Sequence, residues 1–211
     1  MRKKMISIFA LLFPVVLLAG CATTMPMSPS EQKQIHTVYV NPKIPVPNKM
    51  YSTGNGPVYL MGAVGGIIAA VDSMTPQQDI GLLAKKHDIF IDQIVKNAFV
   101  QEVSKNLPFK VIDSPNADAT LNISINTYGL AVDTGSGATL GSGLKPVLNV
   151  DANLTDRQHQ TVWAGSSYIM PFNGAGLPEH TTQDIVKNPE LLRTMWSAAA
   201  EQAASSMVKT M

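Results

Sequence analysis

Cysteine is almost absent: one residue in 211, at position 21. No disulfide can form within the chain, and neither a Cys₄ nor a Cys₂His₂ zinc site can be built. Charge is scarce too. Asp, Glu, Lys and Arg make up 15%, against about 25% in an average soluble protein. The formal charge of +1 leaves no basic surplus to neutralise phosphates, so nucleic acid is not an expected partner. No apolar run approaches the ~20 residues of a spanning helix. What remains, 45% apolar residues in a chain of this length, suits one domain with a tail.

The amino terminus reads as an address. Arg2, Lys3 and Lys4 precede an apolar run from Ile6 to Ala19, broken only by Ser7 and Pro14. Basic start, short apolar run and small residues are the layout of a secretory signal peptide over residues 1–20. The junction Leu18-Ala19-Gly20-Cys21 resembles the lipobox of bacterial lipoproteins. The resemblance implies cleavage after Gly20 and acylation of Cys21 as the new first residue. Two or more acyl chains hold a protein stably on a membrane. Ala22 follows the cysteine; without an Asp there, sorting favours the outer membrane. Residues 1–20 carry three cations and no acid, so the processed chain has 13 Lys and Arg against 15 Asp and Glu, a charge of −2.

Residues 22–34 are polar, with two prolines and no periodicity, and read as a flexible tether. A strand is expected at Ile35–Val40. Val58–Val71 is an uncharged apolar run with Gly62, Gly66 and Ala70 four apart, the small-xxx-small spacing that permits close helix packing. It reads either as a buried core helix or as a segment that inserts in a membrane or packs in an oligomer. Thr75-Pro76-Gln77-Gln78 has the cap, N1 and N3 residues of a helix start. The apolar period then continues to Leu107-Pro108, with a break expected near His87. Strands follow at 109–112, 119–128, 148–154 and 160–170, the middle two alternating Leu, Ile, Val or Ala with Asn, Ser or Asp. A last helix starts at Asn188-Pro189-Glu190. The expected order is β-α-α-β-β-β-β-α. We read residues 35–211 as a single α+β domain, with helices on one face of a mostly antiparallel sheet of four to five strands.

Chemistry is thinly represented. Asp133-Thr134-Gly135 looks superficially like the loop of an aspartic protease, but that reaction needs two carboxylates sharing a proton, and no second copy of the motif occurs. A hairpin loop fits it better. No two of His36, His87, His159 and His180 stand at metal-ligand spacing, and no GxSxG, GxGxxG or P-loop pattern occurs. The cysteine is committed to lipid. No catalytic residue, metal or cofactor is therefore expected beyond the covalent lipid on Cys21. Trp163 reads as strand packing rather than a ligand platform. Asn122, Asn126, Asn149 and Asn153 would line a polar sheet face, which is either simply solvated or the surface for an envelope partner.

Three stretches together carry a family resemblance: Ala117-Asp118-Ala119-x-Leu121-x-Ile123-x-Ile125-x-x-Tyr128-Gly129, Val150-x-Ala152-x-Leu154-x-Asp156, and Val162-Trp163-Ala164-Gly165. They resemble small bacterial envelope lipoproteins whose fold is similar to the amino-terminal domain of the Tol-Pal β-propeller protein. The curli-secretion lipoprotein and the lipoprotein activators of penicillin-binding proteins are more distant in architecture. The resemblance spans roughly residues 89–170 and the lipobox. Where those proteins have a glycine turn in the last hairpin, this chain has Arg157-Gln158-His159-Gln160. The resemblance implies an α+β fold and an accessory, non-enzymatic role in envelope assembly or export. It supplies no catalytic residue. The alternative is an oligomeric structural or pore-forming component built on residues 58–71.

Overall fold

The structure, a computed structural model, describes residues 24–53, 76–132 and 143–211. The elements are α1 (Pro29–Gln34), β1 (Thr37–Val40), β2 (Tyr51–Thr53), α2 (Pro76–Lys86), α3 (Ile91–Asn106), β3 (Lys110–Val111), β4 (Ala119–Val132), β5 (Leu144–Asp156), β6 (Thr161–Ile169), α4 (Thr182–Lys187) and α5 (Glu190–Val208). The α+β class is as expected. One mixed sheet runs β3-β1-β4-β5-β6, and β2 also pairs with β4, further along that strand than β1.

The long ladders, β4–β5 and β5–β6, are antiparallel. They are the period-2 segments, and each joins its neighbour through a hairpin. Val132 and Leu144 are register partners; the Asp133 motif, between them in the chain, lies outside the described residues. The short pairs β1–β3, β1–β4 and β2–β4 are parallel, an addition to the expected mostly antiparallel sheet. The helical crossover between β1 and β3 returns the chain to the same end of the sheet, which is what a parallel pair requires.

The expected break near His87 falls between α2 and α3, where Asp88 takes φ 52. The β5–β6 turn contains no glycine: His159 adopts φ 60. Asp156 Oδ1 accepts from the amides of Gln158 (2.9 Å) and Gln160 (2.8 Å), a side-chain bridge that holds the turn.

The tether is shorter than expected. The Met25 and Ala164 backbones exchange two hydrogen bonds, of 2.8 and 3.0 Å, and the Met27 amide donates to Thr210 O at 3.3 Å. Met27 is buried. Ser28 caps α1 in a full capping box with Glu31, and Pro29 stands in the first turn. Ser-Pro-x-Glu is a helix-start signature, and it outweighs the polar composition that suggested a free tether. Two further elements went unexpected: β2, and α4 with its Thr181–Asp184 capping box.

The core lies between the sheet and the layer of α3 and α5. Val95, Phe99 and Val103 of α3 and Leu192, Met195, Trp196, Ala199 and Ala203 of α5 are fully or almost fully buried. They meet Leu121, Leu148, Val150, Leu154 and Trp163 of the sheet in one cluster. The alanines of α5 let that helix lie close on β5 and β6.

Candidate functional site

The opposite sheet face is polar. Alternation along β4 and β5 puts Leu121, Ile123, Val150, Ala152 and Leu154 in the core, so Asn122, Ser124, Asp151 and Asn153 point the other way. Asn41, just past β1, joins them because β1 pairs with the start of β4. Three amides form a ladder across these elements: Asn41 Nδ2 donates to Asn122 Oδ1 at 3.1 Å, and Asn122 Nδ2 donates to Asn153 Oδ1 at 3.2 Å. Asn126 Nδ2 donates to Asp151 Oδ2 at 2.6 Å. Asn41, Asn122, Ser124, Asp151 and Asn153, with Lys43 and Ser166, line an open groove of about 400 Å³. Asn122 also donates to Thr155 Oγ1 at 3.4 Å, and Asn41 Oδ1 accepts from the Lys43 amide at 3.0 Å. The capacity left for a ligand includes the second lone pair of each amide oxygen and the Nδ2 of Asn153.

Of the four asparagines expected on this face, Asn122 and Asn153 are joined, and Asn126 lies beside Asp151. Asn149 alternates onto the same face as Asp151 and Asn153 but is not bonded into the ladder. The register shifts between Ile125 and Thr127, leaving Asn149 opposite Thr127, and its Oδ1 is buried with no protein partner. Asn41 was missed, since only the pairing of β1 with β4 brings it there.

The resemblance motifs are structural. Asp118 accepts from the amides of His36 (3.0 Å) and Thr37 (2.9 Å) and from Thr37 Oγ1 (2.9 Å). Arg157 Nη2 lies 2.8 Å from its other oxygen. One carboxylate thus joins β1, β4 and the β5–β6 turn. The His36 amide first, then Thr37, hold its pKa below the usual aspartate value of 3.8, and Arg157 adds to this. A depressed folded pKa stabilises the fold above the usual value, and that stabilisation is lost as pH falls through the folded pKa. Asp118→Asn should cost about 1–2 kcal/mol at pH 7 and flatten acid unfolding below pH ~4. Chemical denaturation across pH 2–7 checks it; an unchanged acid limb would refute the role.

Tyr128 meets Trp196 edge-on at 5.8 Å, and Trp196 Nε1 donates to Gly129 O at 3.0 Å. Trp163 is fully buried, with Nε1 donating to Thr210 Oγ1 at 3.1 Å. It is core packing, as read from its strand.

The four histidines sit before β1, after α2, in the β5–β6 turn and before α4. Among the described residues no group of three His, Cys, Asp or Glu could hold a metal ion, and no helix is long and apolar enough to cross a membrane. Gly20, Cys21, Gly62, Gly66 and Ala70 lie outside the described residues.

No protein-family model matches the sequence, and no curated protein does. Solved structures align over most of the chain at low similarity. A Xanthomonas campestris protein of the DUF330 family has a TM-score of 0.41 and 9% identity, covering 83% of this chain and 85% of that one. PelC from Paraburkholderia phytofirmans, solved as a dodecamer, has a TM-score of 0.33 and 10% identity, covering 84% and 86%. Lipoprotein GNA1162 from Neisseria meningitidis has a TM-score of 0.25 and 19% identity, covering 79% and 96%.

Proposed function

We propose that this chain is an envelope lipoprotein, anchored through acylated Cys21 on the periplasmic face of the outer membrane. It works as a non-enzymatic interaction module for an envelope protein partner. The anchor rests on the residues around Cys21. The observation that carries the interaction role is the amide ladder: asparagines from three successive parts of the sheet, bonded to one another along an open groove. Such a row can satisfy the polar groups of an opposing backbone or side chains through neutral amides, with Lys43 and Asp151 as the charged groups beside it.

A photo-crosslinking side chain at Ser124, inside the groove, should trap one discrete partner in cells. The same group at Gln101, exposed on α3, should trap none. Equal patterns at both sites would refute the groove as the interface. A labelled fatty acid fed to cells should be incorporated into the chain and not into Cys21→Ser; an unlabelled parent chain would refute the anchor.

A further inference from the structure

The edge of the sheet at β6 differs from the groove beside it. From Gln160 to Pro178 the chain carries no Asp, Glu, Lys, Arg or His. This stretch is β6 and the turn after it, and it holds two of the exposed large apolar side chains: Tyr168, 48% exposed, and Phe172, 72% exposed. Met25, 39% exposed, is bonded to the same edge through Ala164. An uncharged stretch of this length that exposes two aromatics is the kind of patch that marks a protein or membrane interaction site.

The position of Met25 says what covers them. It is four residues from Cys21, a reach of about 14 Å at full extension. The expected tether from Cys21 to residue 34 would have allowed about 45 Å. Once Met25 is fastened to Ala164, an acylated Cys21 keeps the β6 edge close to the bilayer. The turn is also prepared for a less polar medium. Asn173 Oδ1 accepts from the Met170 amide at 2.6 Å, and its Nδ2 donates to Tyr168 O at 2.8 Å. One side chain thereby satisfies two backbone groups that would otherwise need water.

We propose that Tyr168 and Phe172, on this uncharged edge, rest in the headgroup region of the membrane that holds the Cys21 lipid. Aromatic side chains favour that boundary, and the contact fixes the orientation of the sheet relative to the membrane. The proposal rests on the anchored reading above and adds to it a second, non-covalent point of attachment.

The lone cysteine makes the test direct. The full chain, produced in cells that acylate lipoproteins, is reconstituted in vesicles of phosphatidylethanolamine and phosphatidylglycerol. Phe172→Cys, Tyr168→Cys and Ser104→Cys are each labelled with an environment-sensitive fluorophore. Ser104 is exposed on α3, which packs against β3 at the far edge of the sheet. Labels at 172 and 168 should emit to the blue of the label at 104. Lipid-borne nitroxide should quench them several-fold more strongly. Emission and quenching at 172 and 168 equal to those at 104, on protein that floats with the vesicles, would overturn the proposal and leave the anchor standing. The unsubstituted chain, treated with the same reagent, should take no label because its thiol is occupied by lipid. Labelling there would overturn the anchor, and this proposal with it.

Discussion

Trp163→Ala is expected to cost about 3–5 kcal/mol, the usual range for truncating a buried aromatic. For a domain of this size that lowers the melting temperature by roughly 10 °C. Trp163 is fully buried, and its ring lies over Gly165, two residues on along the same face of β6. A β-carbon on Gly165 would stand 2.7 Å from the ring and 3.4 Å from Met207. The tryptophan and the glycine therefore make one packing unit between β6 and α5, so the cavity left by truncation cannot be filled from the strand. Trp163→Phe should cost much less, about 1 kcal/mol, because Thr210 Oγ1 keeps its bond to Met207 O at 2.8 Å. Thermal unfolding of the two variants separates these effects. A shift of only a few degrees for Trp163→Ala would refute the packing role.

Gly129→Val is expected to be comparably severe, at about 3 kcal/mol or more by overpacking. A β-carbon at Gly129 would lie 1.9 Å from Tyr51 O and within 3 Å of Tyr51 C and N. All three are backbone atoms of β2, so no rotamer change relieves the clash, and β2 must leave β4. The Gly129 carbonyl also accepts from Trp196, so its displacement strips the buried indole of its partner. Amide exchange in residues 51–53 should accelerate along with the loss of stability. Gly81→Ala gives the contrast: nothing lies within 4 Å of its β-carbon, and within α2 the change should stabilise by up to ~1 kcal/mol. Protected β2 amides in Gly129→Val would refute the steric argument.

The sequence disclosed the parts of this fold that follow a local period. The alternations of β4 and β5 are visible in Leu121–Ile125 and Leu148–Leu154, because a half-buried strand writes its two faces into alternate residues. Although Asn188, the cap expected for α5, ends α4 instead, and α5 follows Pro189 with no side-chain cap bond, helix α5 and the α2–α3 break were legible from the 3.6 period. The parallel placement of β1 was not, since pairing across the sheet leaves no mark on a four-residue strand. Nor was the register shift near Asn126, which leaves Asn149 opposite Thr127. Helices α1 and α4 are six residues each, too short for periodicity, though both display capping residues. The groove was half legible: Asn122 and Asn153 follow from alternation, while Asn41 needed the topology.

The Asp118–Thr37 clasp bridges residues 81 apart in the chain, whereas β4, β5 and β6 are consecutive and joined through hairpins. Closing a loop of that length costs more entropy than turning a hairpin, and non-local pairings form late. The meander is thus expected to form before β1 joins it. The amino-terminal strand, next to the part that the lipid reading places at the membrane, has its β4 partner only in a segment some eighty residues further along the chain.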